Sequence, residues 1–305
     1  MTGAVAAKKA VDLIALVKPR IMIMALLTAA GAAGLAPGTI ALADALWMLA
    51  GTAMIVGSAN TLNMWLERDV DCLMVRTKDR PLPQGRLDAS TALLFGAIQG
   101  ALSIPLLAKT NLLTAALGLL ALVLYVGVYT PMKQRSQIAV WVGAIPGAMP
   151  ALMGWTAATG KIELGGLAVF GVLFIWQVPH FHAIAMYRQR DYDAAGLKTL
   201  PGTHGVARAR REIGIYLVVQ VLASMLPVML GVAGSIYLAS AIVLGIFVLV
   251  QGLPGAFPGL ARSPTPQTPH RPEGTGSTKW ARNVFLASIV YLPLLFAVMV
   301  FDGRA

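Results

Sequence analysis

The chain has 305 residues, 57% of them hydrophobic and only 12% charged, with a mean hydropathy of +0.72. A soluble domain carries about 25% charged residues, so soluble packing cannot hide this much apolar surface and the bilayer is the natural solvent. The net charge of +11 then reads as basic loops facing anionic lipid or an anionic substrate, not nucleic acid, and the single cysteine, Cys72, excludes an intrachain disulfide and a cysteine-based metal cage.

Residues 1–18 contain Lys8, Lys9 and Asp12 but neither the apolar core nor the small-residue cleavage site of a secretory signal. They form a short N-terminal segment. A spanning helix needs about 20 apolar residues. Nine such stretches follow, at 19–36, 42–65, 89–107, 112–129, 138–157, 164–186, 213–232, 236–254 and 284–301. The expected fold is an all-α, polytopic membrane protein, a single domain of nine transmembrane helices (19–301) around a central apolar chamber, with a short tail at 302–305. A cytoplasmic N-terminus would put 21 of the 24 Lys and Arg on the cytoplasmic side, the positive-inside pattern. Most acidic residues fall on the same side, chiefly in the loops 66–88 and 187–212. The orientation rule does not ask for carboxylates there, so these loops are where chemistry is sought. The stretch 255–283, with Pro258, Pro264, Pro266, Pro269 and Pro272, reads as a flexible cytoplasmic linker.

The second stretch runs into Asn60-Thr-Leu-Asn63-Met-Trp-Leu-Glu67-Arg-Asp69-Val-Asp71. At roughly 100° per residue, Asn60, Asn63, Glu67 and Asp71 share one narrow helical face and Asp69 points away. Polar groups at such a place are costly unless satisfied. Oxygen donors without nitrogen or sulfur suit a hard cation, and Mg²⁺ binds through one or two carboxylates plus phosphate oxygens. The plainer reading is a solvated helix end. Arg76, Lys78, Arg80 and Arg86 follow at once. Guanidinium groups grip phosphate bidentately and Lys adds a point charge, so this composition is one that handles a diphosphate.

The sixth stretch ends in Trp176-Gln-Val-Pro-His180-Phe-His182, then Tyr187, Asp191, Asp193, Gly196 and Lys198. A continuous helix would put Gln177, His180, Tyr187 and Asp191 on one arc, with His182 elsewhere. Asp191 is a second-site metal candidate, and Arg188 and Lys198 are phosphate partners. His180, and after it His182, are candidates for binding the acceptor, because imidazole is a common axial ligand of haem iron. The alternative is histidine as hydrogen-bonding filler.

These residues resemble the UbiA-type membrane prenyltransferases, whose signature is an Asn/Asp-rich first motif and a second acidic motif on cytoplasmic loops. The likeness covers nearly the whole chain. It rests on Asn63-Met-Trp-Leu-Glu67-Arg-Asp-Val-Asp71, Arg76-Thr-Lys-Asp-Arg-Pro-Leu, Tyr129-Thr-Pro-Met-Lys133, Gly154-Trp155, Trp176-Gln-Val-Pro-His180-Phe, Asp191-Tyr-Asp-Ala-Ala-Gly196 and Ser288-Ile-Val-Tyr291-Leu. The Pro-His-Phe and Asp-Tyr-x-x-Ala-Gly strings fit the haem branch of that family. The resemblance implies farnesyl diphosphate and haem b as substrates, and haem O and diphosphate as products. It implies Mg²⁺ as cofactor, with Glu67, Asp71 and Asp191 as catalytic residues and Asn60, Asn63, Glu67, Asp71 and Asp191 as metal ligands. Arg76, Lys78, Arg80, Lys133 and Lys198 would then bind the diphosphate, and His180 and His182 the acceptor. It further implies a bacterial inner-membrane location with active-site loops on the cytoplasmic side, and leaves room for a haem-handling or terminal-oxidase assembly partner. The rival readings are a prenyltransferase for an aromatic acceptor such as 4-hydroxybenzoate, and a secondary transporter.

Overall fold

The computed structural model describes residues 2–257 and 274–303, and these fold as helices without a strand. In chain order they are α1 (Thr2–Leu16), α2 (Pro19–Leu35), α3 (Leu42–Asp71), α4 (Ala89–Thr110) and α5 (Leu112–Val123). The chain of α5 continues through a π-helical stretch, Leu124–Tyr129, into α6 (Thr130–Met132). Then come α7 (Ala139–Thr159), α8 (Leu164–Tyr187), α9 (Gln189–Ala194), α10 (Leu200–His204), α11 (Val206–Ala223), α12 (Leu226–Met229), α13 (Ser235–Ala256) and α14 (Gly274–Phe301).

Helix occupies most of each of the nine stretches expected to span. By length and apolarity, however, seven helices among the described residues qualify as crossing segments, and an eighth if α1 and α2, bent by 51° at their junction, act as one. The helix that falls outside this count is α7. It carries Pro146 and Pro150 and is buried along most of its length, so its neighbours, not lipid, cover its polar backbone. The expected linker 255–283 is also corrected in part. Residues 258–273, which hold all five of its prolines, lie outside the described residues, but 274–283 are the opening turns of α14. The short tail is likewise anchored at Asp302, whose Oδ2 accepts the Tyr237 N–H at 2.7 Å.

Why these helices gather is visible in the core. One cluster joins α3, α4, α5 and α7 through Ile55, Leu107, Leu117, Met149 and Met153. A larger one joins α2, α7, α8, α11, α13 and α14 through residues such as Trp155, Val172, Ile213, Tyr291 and Leu295. Helix α7 belongs to both and is the wall they share. The approach of α2 to α7 depends on Gly154, where a Cβ would lie 1.9 Å from the Ala29 carbonyl oxygen. Small residues let membrane helices approach this closely. Outside, large apolar side chains such as Leu112, Val243 and Phe301 are exposed, as a lipid-facing surface requires.

Candidate active site

Helix α3 runs unbroken to Asp71, six residues past the end of its expected span. Asn60, Asn63, Glu67 and Asp71 are all buried, while the Asp69 side chain is 84% exposed and pairs only with its neighbour Arg68. The four-residue face read from the sequence is therefore the inward face.

Each of its members has a specific partner. The Asn60 amide donates to the Val17 carbonyl at 3.1 Å. Asn63 accepts from Lys18 Nζ and donates to Thr130 Oγ1, both at 3.1 Å. Lys133 Nζ pairs with Glu67 at 2.5 Å and Arg80 with Asp71 at 2.7 Å. Asp71 Oδ1 is buried and has no hydrogen-bond partner. A carboxylate oxygen left bare at such depth is costly, and a hard cation is the partner its chemistry suits. The oxygen donors of this face thus fit a divalent metal.

Local backbone explains how the partners arrive. Lys18 sits between α1 and α2 at φ 51°, the only non-glycine residue with positive φ among those described. That turn aims the Val17 carbonyl and the Lys18 ammonium at α3. The π-helical stretch is a wider helix than its neighbours, of a kind often found at functional sites. It sets Thr130, whose hydroxyl donates to the Tyr125 carbonyl at 2.8 Å, against Asn63. Burial works against the charge on Lys133, but neighbouring Tyr129 and Glu67 outweigh it and hold the ammonium well above the usual lysine range.

The two acidic loops meet. Met74 of the first packs on Ala195 and Leu197 of the second, with Val70 and Tyr192 beside them. The Lys198 N–H donates to the Lys133 carbonyl at 3.0 Å. Burial raises the Tyr192 hydroxyl pKa, and the positive charge of Arg76 on the first loop opposes this. Lys78 and Lys198 are exposed at the rim. Arg86 turns away from this face and holds buried Asp12 of α1 at 3.1 Å.

The continuous helix that would put Gln177 and Asp191 on one arc is not formed. Helix α8 stops at Tyr187, and Arg188, at φ −109° and ψ 23°, redirects the chain into α9. Asp191 faces Arg188 at 3.9 Å. Among the described residues no group of three His, Cys, Asp or Glu side chains gathers as a metal site, so Asp191 does not join Glu67 and Asp71 in one cage. His180 is hydrogen-bonded to Ser288. His182 is turned to the interior with both ring nitrogens unpartnered.

Next to the polar face lies an apolar chamber of about 110 Å³ between α2, α3, α5 and α7. Ile21, Ile55, Leu122, Pro146 and Met153 line it, with Asn60 and Tyr125 as its polar members. Asn60 belongs both to the chamber and to the carboxylate-bearing face. A ligand with an apolar tail and an anionic head is matched by that arrangement.

Sequence reasoning missed Lys18, Thr130 and Asp12. Lys18 carried a signal, a cation directly before Pro19 at the start of a span. Thr130 stood in the string Tyr129-Thr-Pro-Met-Lys133, but nothing in that string pointed to Asn63, which it reaches at the end of the π-helical stretch.

The family model described as the UbiA prenyltransferase family matches residues 24–253. A protoheme IX farnesyltransferase of Anaeromyxobacter sp. (strain Fw109-5) is 48% identical over 294 residues, 96% of this chain and 94% of its own length. One from Myxococcus xanthus (strain DK1622) is 45% identical over 292 residues, 95% and 94%. Among solved structures, a digeranylgeranylglyceryl phosphate synthase aligns with a TM-score of 0.78 at 15% identity, covering 97% of this chain and 98% of that one. A UbiA homolog from Archaeoglobus fulgidus bound to DMAPP and Mg²⁺ aligns at 0.65 with 19% identity, covering 93% and 99%. At these identities the structural likeness is one of fold.

Proposed function

Because the chain belongs to the UbiA prenyltransferase family, we propose that it transfers the farnesyl group of farnesyl diphosphate to a vinyl group of haem b, giving haem O and diphosphate. The observation that carries this reading is the α3 face, on which Asn60 opens to an apolar chamber and Glu67 and Asp71 stand one and two turns beyond Asn63 among Lys133, Arg80 and Lys18. The acceptor comes from relatives up to 48% identical over nearly the whole chain, named for protoheme IX farnesyl transfer.

Glu67 and Asp71 would hold the metal, Mg²⁺ in this reading, with Asn60 and Asn63 in support and Asp191 at the second loop. When bound, such an ion neutralises charge that develops on the diphosphate. Arg80 and Lys133, together with Arg76, Lys78 and Lys198, bind diphosphate oxygens and stabilise the leaving group as the allylic C–O bond breaks with its electron pair going to oxygen. The vinyl π electrons of the acceptor form the new bond to the farnesyl carbon. Water then adds to the remaining cationic carbon and releases a proton, leaving a hydroxyethylfarnesyl substituent. The chamber beside Asn60 holds the isoprenoid tail and keeps water from the cation until that point.

We place nine helices across the membrane by counting α2 and α7 as crossings, with the N-terminus and both acidic loops in the cytoplasm of a bacterial cell. The distribution of Lys and Arg supports this orientation. The test of function is direct. Purified protein with labelled farnesyl diphosphate and haem b should give a product with the mass of haem O, and chelation of divalent metal should stop it. Prenylation of a phenolic acid such as 4-hydroxybenzoate, with haem untouched, would refute the acceptor assignment.

A further inference from the structure

We infer that Ser288 of α14 fixes the proton of His180 on Nδ1, leaving Nε2 of that ring as the ligand for the acceptor's iron. The inference rests on the reaction proposed above and adds a seat for its second substrate.

The argument starts from one hydroxyl. Ser288 Oγ lies 2.6 Å from the Phe285 carbonyl oxygen and 2.7 Å from His180 Nδ1. A serine hydroxyl has a single proton to give. A carbonyl oxygen at 2.6 Å can only accept, so the hydroxyl proton is spent on Phe285. The contact to the histidine must then run the other way, with Nδ1–H donating to Ser288 Oγ. The imidazole is neutral, with its proton on Nδ1 and an open lone pair on Nε2. Metal-ligating histidines almost always have this arrangement, one nitrogen anchored by donation to an oxygen and the other free for the metal. No proton has to leave for Nε2 to bind iron.

The ring is also held in orientation. It stacks on Trp176 with centroids 4.4 Å apart at 27°, and Phe285 packs at 5.1 Å. Trp176 itself donates to the Ser288 carbonyl at 2.9 Å, so α8 and α14 are locked together at this point. Farther along the same face of α8, Tyr187 stacks with Phe285, and the guanidinium groups of Arg188 and Arg282 lie over Tyr187 at 4.7 and 6.0 Å. An aromatic wall with a nitrogen ligand at one end and two cations at the other is complementary to a flat, iron-bearing macrocycle with carboxylate arms. Arg188 also faces Asp191, which connects this wall to the second acidic loop. His182 differs, since both of its nitrogens are buried without a partner and nothing fixes its tautomer.

Spectroscopy of the full chain in lipid nanodiscs tests the assignment, with titration by haem b and, in parallel, by metal-free protoporphyrin IX. Wild-type protein should bind haem with the spectrum of a nitrogen-ligated iron. His180→Gly should lose that signature and regain it with added imidazole, while its affinity for the metal-free ring stays within about twofold. Ser288→Ala should keep the ligand but bind haem about tenfold more weakly. A wild-type haem spectrum in His180→Gly overturns the assignment. So does equal weakening of haem and metal-free ring in that variant, which would mean a packing role. Product masses separate this from failure of the proposed reaction. If wild-type protein makes haem O and His180→Gly does so with unchanged KM for haem, only the seat is wrong. If wild-type protein prenylates a phenolic acid and never haem, the reaction itself is wrong.

Discussion

Lys133 Nζ lies 2.5 Å from Glu67 Oε1, so the residue that closes α6 and the inward face of α3 are joined by a partly buried ion pair. Arg80 does the same for Asp71. The cations assigned to the diphosphate thus hold the carboxylates assigned to the metal, and each group keeps a counter-charge when substrate is absent. Glu67→Gln should leave this helix in place, since the amide can still accept from Lys133. Turnover should fall by about 10²-fold or more, the scale seen when one charge-stabilising group is removed. Parallel measurement of haem O formation and of thermal unfolding checks both halves of the statement.

Asp71 makes a different prediction because its side chain is 1% exposed and that of Arg80 is 20% exposed. Removing one partner of a buried pair costs about 3–5 kcal/mol through the charge left behind, whereas replacing both is often neutral. Asp71→Asn should therefore lower both stability and turnover. Combining it with Arg80→Met should restore much of the melting temperature and none of the turnover. A double variant as unstable as the single would count against the pairing as the source of the loss.

The inward face of α3 was legible because helical periodicity alone decides which side chains share a side, and four polar residues on a membrane helix leave few alternatives. The second loop was less so. Placing Asp191 with Gln177 and His180 assumed one unbroken helix, and the turn at Arg188 ends it. The nine spans were read from apolar runs, yet α7 is sheltered by protein on most sides and needs less apolar composition than a lipid-facing helix. What periodicity could not supply was contact between distant segments. Thr130 meets Asn63 across 67 residues, through a local widening that no apolar pattern announces.

That contact yields its own prediction. Thr130→Val keeps the shape of the side chain and removes the oxygen that accepts from the Asn63 amide. Asn63 would then be held only by Lys18, and a buried donor would lose its partner at a cost of about 1–3 kcal/mol. The expected result is a lower kcat at saturating farnesyl diphosphate and a raised Mg²⁺ requirement. Thr130→Ser should behave as wild type. The measurement is the Mg²⁺ dependence of initial rates for the two variants side by side.

Gly154 gives the last prediction, which concerns the chamber. Any Cβ at this position would lie 1.9 Å from the Ala29 carbonyl oxygen of α2, with the Ala29 carbonyl carbon at 2.8 Å. These are backbone atoms, so no flexible side chain can swing aside and the two helices must separate. Overpacking costs about 1–3 kcal/mol where neighbours adjust, and here the adjustment is a helix displacement. Helices α2 and α7 both line the chamber, through Ile21 and Ala25 on one and Pro146 and Pro150 on the other. Gly154→Ala should therefore lower the melting temperature and raise KM for farnesyl diphosphate together, without touching a single charged group of the site. Gly171→Ala on α8 is the control, because nothing lies within 4 Å of its added carbon. It should match wild type in both measurements. Equal behaviour of the two variants would mean that the tight crossing of α2 and α7 does not shape the chamber.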